Sequence, residues 1–341
     1  MLFYKDLDKI VLNQHKKTPS DELIVLSDSV GIEPLRWLEE LPIQSTVILY
    51  YKDTVDTRVP EMLHNAYLAE QEKFKNVRLM YSGIPVASQH YIWRDHGNIT
   101  YALAGSASFT LKGMTSPIKE TLAELTSDAF PVLSEHLKLV MGNGMSCTEG
   151  KAKIFSFYST NIVSRDGTYI VYAEDYCKVP VCEVKEQHLY MADDSGLNMG
   201  LASSGKTNDH KDDACIPIRL ETILRYPKFF PMKIMYPESF AGDVTLSCPH
   251  DDNIEIIWDD GTYMTAALEG IQGGAFPKQI VSSPDKSLLG KYLRNRLGVP
   301  SGVAISMLDL LKYGRTNINI WLLAEGIYFF DFSQKERLVR T

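Results

Sequence analysis

Cysteine is scarce and odd in number. The five thiols, Cys147, Cys177, Cys182, Cys215 and Cys248, are spread over about a hundred of 341 residues, which argues against the disulfide framework of a small secreted protein. No apolar run reaches the ~18 residues that a membrane helix needs. The opening Met1-Leu2-Phe3-Tyr4-Lys5-Asp6 has no basic region followed by an apolar stretch of signal length. The expectation is a cytoplasmic protein with no membrane partner. Repeats and low-complexity tracts are missing as well, so a fibrous or disordered chain is excluded. What is present is 45% hydrophobic residues, with 18 Tyr and 13 Phe, enough large apolar side chains for the cores of about two domains.

The net charge of -8 conceals an asymmetry. Residues 271–341 hold ten Lys and Arg against five acids and carry +5, leaving -13 on the other 270 residues. A basic end on an acidic protein suggests a local polyanion site, with an ordinary solvated surface as the competing explanation.

Texture divides the chain near Lys151. Before it, apolar runs that suit buried strands (Leu23–Leu26, Thr46–Tyr50, Val77–Tyr81, Tyr101–Ala104) alternate with helical patterns at Pro34–Leu41 and Glu61–Phe74. Ser116 and Pro117 suggest a further helix start, with Ile118, Leu122 and Leu125 on one face. After it come short β-patterned segments at Ile154–Tyr158, Thr168–Tyr172, Val181–Met191, Ile254–Trp258, Tyr263–Leu268, Ile318–Leu323 and Ile327–Phe332. Asp259-Asp260-Gly261 marks a hairpin, and Ser287–Leu297 marks one helix. The expected fold is an α/β domain followed by a small, mainly β, barrel-like domain.

Three motifs offer chemistry and each lacks support. Gly200-Leu201-Ala202-Ser203-Ser204-Gly205-Lys206-Thr207 fits the phosphate-loop pattern, but neither a buried strand before it nor an apolar helix after it is evident. Asp175, Glu183 and Lys185 have the order of a magnesium nuclease site at a loose spacing that also suits a solvated strand edge. Cys177, Cys182, Cys248 and His250 could ligate zinc, yet no C-x-x-C pair is present. No metal and no cofactor are expected.

A fourth constellation is more specific. Ile84-Pro85-Val86-Ala87-Ser88-Gln89-His90-Tyr91-Ile92-Trp93, then Gly105-Ser106-Ala107-Ser108-Phe109 and Lys119-Glu120, resemble the phospholipase-D-like nuclease domain of NgoFVII-type restriction endonucleases, whose pattern is roughly PvHxKxYiW, GSANF and KE. In the second half the resemblance is to that family's C-terminal B3-like DNA-binding pseudobarrel. It is carried by Asp194-Ser195-Gly196-Leu197-Asn198-Met199-Gly200, Ala214–Pro217, Phe229-Phe230-Pro231, Pro277-Lys278-Gln279, Leu289–Val299 and Tyr313-Gly314-Arg315-Thr316. The resemblance implies a nuclease-type domain over 1–155 that cuts without metal, and a sequence-reading domain over 156–341. It places the phosphate-loop lookalike in a loop.

In the chemistry so implied, a His attacks phosphorus, a Lys binds the phosphate oxygens and an Asn orients the transferred group. The family site positions here are Ala87, Gln89, Ser106, Ser108 and Glu120. Ala87 has no nucleophilic atom and Gln89 no charge, and loss of a covalent nucleophile costs on the order of a millionfold in turnover. His90 does not replace Ala87, because residues 87 and 89 share a strand face and residue 90 points the other way. His96 is the remaining histidine nearby. Gly105 and Ser106 are retained, which a tight turn alone would require, and Glu120 has a bland explanation as a first-turn helical acid. Ser27-Asp28-Ser29-Val30-Gly31 stands where the family tends to have SGYVG, and Met199 where it tends to have Trp.

For duplex recognition, Lys278, Gln279, Lys286, Lys291, Arg294 and Asn295 supply cations for phosphates and amides for base edges within eighteen residues. On the Ser287 helix, Lys291, Arg294 and Asn295 are expected to face solvent, opposite Leu289, Leu293 and Leu297. Arg296 falls about 20° from Leu289 on the wheel, so a structural ion pair is expected. Arg315 is a loop candidate, and the resemblance adds Ser195 and Asn198. The reading is sequence-specific double-stranded DNA binding with impaired cleavage, as a homodimer through the first domain. The alternative is an active, metal-independent endonuclease working with a helicase-type ATPase subunit. An assembly protein without DNA contact is a third possibility.

Overall fold

The computed structural model describes residues 1–50, 60–84, 88–116, 119–149, 176–185, 188–193, 196–201, 210–233 and 252–334. The chain forms two compact units, Met1–Tyr172 with Leu323–Ile327, and Ala173–Leu322 with Tyr328–Thr341. The boundary expected near 155, and the strands expected at 154–158 and 168–172, fall in 150–175, outside the described residues.

The first unit runs β1 (Leu2–Phe3), α1 (Leu7–Asn13), β2 (Glu22–Ser27), α2 (Ile32–Glu39), β3 (Gln44–Tyr50), α3 (Glu61–Gln71), β4 (Val77–Ser82), β5 (Gln89–Asp95), β6 (Asn98–Gly105), α4 (Leu111–Thr115), β7 (Leu122–Glu124), α5 (Phe130–Gly142) and β8 (Gly144–Ser146). Its eight strands lie in the order β1-β7-β6-β5-β2-β3-β4-β8. β2, β3 and β4 are parallel, as apolar runs linked by helices require. Those runs are continuous rather than alternating because both faces are covered. Ile24, Leu26, Ile48 and Ile92 pack on Leu133, Leu137 and Val140 of α5, while their neighbours Leu23, Val25 and Val47 are equally buried.

The helix expected after Ser116 is absent. Ser116 instead follows the end of α4, and Leu122–Glu124 is strand β7, paired with β6 on one side and β1 on the other. Two exposed backbone edges recruit a segment whose apolar spacing suits a helix equally well. Glu120 therefore precedes a strand and is not a first-turn helical acid. Residues 117 and 118 lie outside the described residues.

The second unit comprises β9 (Cys177–Pro180), β10 (Glu183–Lys185), β11 (His188–Tyr190), β12 (Ile216–Pro217), α6 (Leu220–Arg225), β13 (Asp252–Trp258), β14 (Tyr263–Glu269), β15 (Gln279–Ser282), α7 (Ser287–Leu297), α8 (Met307–Tyr313), β16 (Asn317–Ala324) and β17 (Ile327–Asp331). Seven strands follow the order β12-β15-β14-β13-β17-β16-β9. The run expected at Val181–Met191 is split into the β10–β11 hairpin. Asp259-Asp260-Gly261 turns β13 into β14, with Gly261 at φ 83°, as expected. Helix α7 spans the expected residues and buries Leu289 and Leu293 against Trp258, Phe330 and their neighbours. Helix α8 starts at a Ser306–Asp309 capping box that the sequence reading passes over. Among the described residues no helix is long and apolar enough to cross a membrane.

Candidate functional site

The period-two geometry of β5 decides what the first unit presents. Gln89 and Tyr91 point to one face. His90 points to the other, where its ring lies 6.1 Å from that of His136 on α5. His90 therefore does not share the face of Gln89. Ala87 lies outside the described residues. His96 follows the far end of β5, roughly 20 Å along the strand from Gln89, and its ring is 3.4 Å from Asp21. Asp21, Asp95 and His96 are the one group among the described residues whose ligand atoms converge as a cation would require; two of the three are exposed.

Gln89 is 3% exposed, and its side-chain oxygen accepts the Asp28 backbone N–H at 3.0 Å. Burial raises the Asp28 carboxyl above its ordinary range, opposed by a hydrogen bond from the Gln89 side chain, and the charge of Glu325 adds to the rise. The β2–α2 turn is held by Ser27, whose hydroxyl donates to the Ser29 carbonyl at 2.6 Å and accepts the Phe109 N–H at 3.1 Å. Tyr91 is buried and donates to the Ala107 carbonyl at 2.8 Å. Burial, then the charges of Asp28 and Glu120, raise its phenol well above the ordinary value. The charges of Asp28 and Glu120 thus both act on the Tyr91 phenol, and Asp28, which replaces a glycine of the family pattern, adds a carboxylate that does not compensate a phosphate's charge.

The small residues of this region, retained or not, have structural work. A Cβ on Gly105 would sit 2.0 Å from the Thr121 carbonyl, and one on Gly113 2.3 Å from the Ser108 carbonyl. Ser106 makes a reciprocal pair with Thr121, its backbone N–H donating and its hydroxyl accepting. Ser108 lies 3.2 Å from the Thr110 hydroxyl, which caps α4. Lys119 pairs with Glu325 at 2.7 Å, and the same carboxylate is 3.3 Å from the buried Lys112.

In the second unit, three of the expected DNA-contacting side chains lie in the interior. Arg294, expected to face solvent, is 1% exposed. It donates to the carbonyls of Val303 and Leu197 and lies 3.4 Å from Asp212. The cause is Gly290, one turn earlier, where a Cβ would be 1.8 Å from the Asp212 carbonyl. Lacking that atom, α7 lets the 212–214 segment close over its polar side. Arg315, expected on a loop surface, is 4% exposed and donates to the carbonyls of Ser333 and Asp331. Asn198 is fully buried, bonded to Ala192 and to both backbone polar groups of Ile305. Arg296 forms the expected ion pair, bidentate to Asp259 at 2.6 and 2.8 Å.

Lys278, Lys286, Lys291 and Asn295 are exposed and Gln279 is half-buried. Lys278, Gln279 and Lys286 come together at the end of β14–β15, around a residue that the sequence reading overlooks. Glu269 accepts from Gln279 Nε2 at 2.8 Å and from Lys286 Nζ. These bonds hold its carboxyl below the ordinary value against the opposing effect of burial. The same outer sheet face carries a small apolar patch of Cys215, Ala267 and Val281, with Met199 against it. Only strand register could have found Glu269, since it pairs across the ladder with Gln279.

The alternative motifs gain nothing. Ser195, Asp175, Cys248, His250 and most of the phosphate-loop lookalike lie outside the described residues. Gly200 is a packing glycine, where a Cβ would be 2.1 Å from the His210 carbonyl. Cys177 and Cys182 are buried free thiols, and burial pushes the Cys177 thiol up to about 12 and raises Cys182 too.

Comparison with known proteins places both halves. Residues 5–153 match the model of the NgoFVII restriction endonuclease N-terminal PLD domain, and residues 178–324 that of the NgoFVII C-terminal B3-like DNA-binding domain. NucT from Helicobacter pylori is similar over 43% of this chain and 97% of its own, at 11% identity and a TM-score of 0.31. No curated protein sequence matches the chain.

Proposed function

Since the chain belongs to the NgoFVII restriction endonuclease family, we propose that it binds double-stranded DNA sequence-specifically while its own phosphodiester cleavage is impaired. One observation carries the second half of this reading. At the place of the family's phosphate-binding lysine stands Gln89, neutral, buried and committed to Asp28. A neutral amide beside a carboxyl offers no compensation for a phosphodiester's charge, and Ala87 offers no atom to attack it.

Binding falls to the second unit. Lys278, Lys286 and Lys291 remain at the surface to neutralise phosphates, and the amides of Gln279 and Asn295 are of the type that reads base edges. The resemblance further supports a homodimer joined through the first domain, acting in the cytoplasm; a helicase-type ATPase subunit belongs to the alternative reading, an active metal-independent endonuclease.

The test is a pair of assays on the full chain. Duplex retention should weaken steeply as salt rises, and supercoiled plasmid incubated in EDTA, with ATP and any partner subunit present, should stay intact. Discrete fragments would overturn the impaired-cleavage reading, and salt-insensitive or absent retention would overturn DNA binding.

A further inference from the structure

Glu269 is out of place on a surface meant to attract a polyanion. It is partly exposed, sits beside Lys286 and Lys278, and lowers the local positive potential that duplex binding would use. What it achieves is orientation. Glu269 and Gln279 are directly opposed on β14 and β15, on the outer face that also carries Ala267 and Val281, while their chain neighbours Leu268 and Ile280 point into the core. Gln279 Nε2 donates to Glu269 Oε2 at 2.8 Å. That bond settles which end of the amide is nitrogen, because its oxygen facing a carboxylate would be repelled. One N–H is thereby consumed. Among the described residues the second N–H and the carbonyl oxygen have no partner, and they lie side by side when Glu269 takes the N–H anti to that oxygen.

An adjacent donor and acceptor on one planar amide complement a single base edge in the major groove. Adenine offers an N7 acceptor beside an N6 donor, whereas guanine presents two acceptors and cytosine a lone donor. We propose that Gln279 is a base-reading residue selecting adenine, and that Glu269 is a positioning residue fixing its amide for that contact. Lys286, bonded to the other carboxylate oxygen, ties the pair to the N-terminus of α7 and stays available to a neighbouring phosphate. The segment Gly196–Leu201 borders the same face, with the Gly196 carbonyl accepting from the Cys215 N–H at 3.0 Å. The assignment rests on the reading of this unit as a sequence-specific duplex binder.

The experiment is selection from random duplexes by the full-length wild type, Gln279→Ala and Glu269→Gln, with thermal midpoints measured in parallel. The wild type is expected to select a site with adenine at one fixed position. Gln279→Ala should lose that preference by about tenfold or more while every other position is kept. The near-isosteric Glu269→Gln should keep the thermal midpoint, weaken discrimination at the same position and bind random duplex more tightly, having lost a negative charge. A wild type that selects a site which both folded variants select unchanged would overturn the assignment and leave duplex binding standing. A wild type that selects nothing would overturn both.

Discussion

Arg294 Nε lies 3.4 Å from Asp212 Oδ1 with both side chains in the interior of the second unit, so the helix face marked as cationic in the sequence is in part a wall of the core. Asp212 is satisfied further by the Ser301 hydroxyl and by the Gly302 N–H at 2.8 Å. These contacts and Arg294 outweigh burial and hold the carboxyl below its ordinary value.

Removing one member of such a pair strands the other. Arg294→Ala is expected to cost about 3 to 5 kcal/mol of folding stability, read as a lower urea midpoint. Gly290→Ala should destabilise as well, because its new methyl meets the Asp212 carbonyl. A midpoint unchanged in both variants would show that the helix side is not closed over.

Lys278 and Lys291 are exposed, and their replacement should leave the thermal midpoint within experimental scatter. Each change to Ala is expected to reduce the slope of log affinity against log salt by about 0.9, the contribution of one phosphate contact. Slopes identical to that of the wild type would move the phosphate-binding surface elsewhere.

His90 gives a pH dependence with a defined sign. Burial, with a smaller contribution from His136, lowers its pKa in the folded chain, while the unfolded chain titrates at about 6.5. Between those values the unfolded state binds more protons. The contribution is therefore complete above about 6.5 and is lost as pH falls through the folded value. His90→Gln should flatten the fall in urea midpoint between neutral pH and about pH 5. His64, likewise lowered by burial, leaves a residual slope in that variant.

The positions matched to the family's catalytic groups carry a prediction of gain. Ala87→His, Gln89→Lys and Ser108→Asn together, with Asp28→Gly to remove the adjoining carboxyl, should raise plasmid nicking in EDTA above the wild-type level. Equal nicking by the two proteins would mean that other groups already perform the chemistry.

Much of the first unit is legible in order. Buried strands such as β2 and β3 write themselves as continuous apolar runs, and the period of two places His90 away from Gln89 without coordinates. The strand β7 is not legible, because Leu122 and Leu125 fit a helical face and only the edges of β6 and β1 recruit Leu122–Glu124 into a sheet.

The candidate DNA surface shows the same division. Residue types and their spacing were enough to place a cluster of cations and amides between 278 and 295, and to separate Arg296, inside the apolar arc, as an ion-pair residue. A helical wheel shows which side of α7 is polar, and cannot show that a second segment passes over that side. The packing at Gly290 drew Arg294 inward, the strands around β16 and β17 enclosed Arg315, and the ladder between β14 and β15 put Glu269 beside Gln279. Local pattern is written by neighbours three or four residues apart, whereas burial and pairing of a polar side chain depend on groups tens of residues away, which meet it only when the chain has closed.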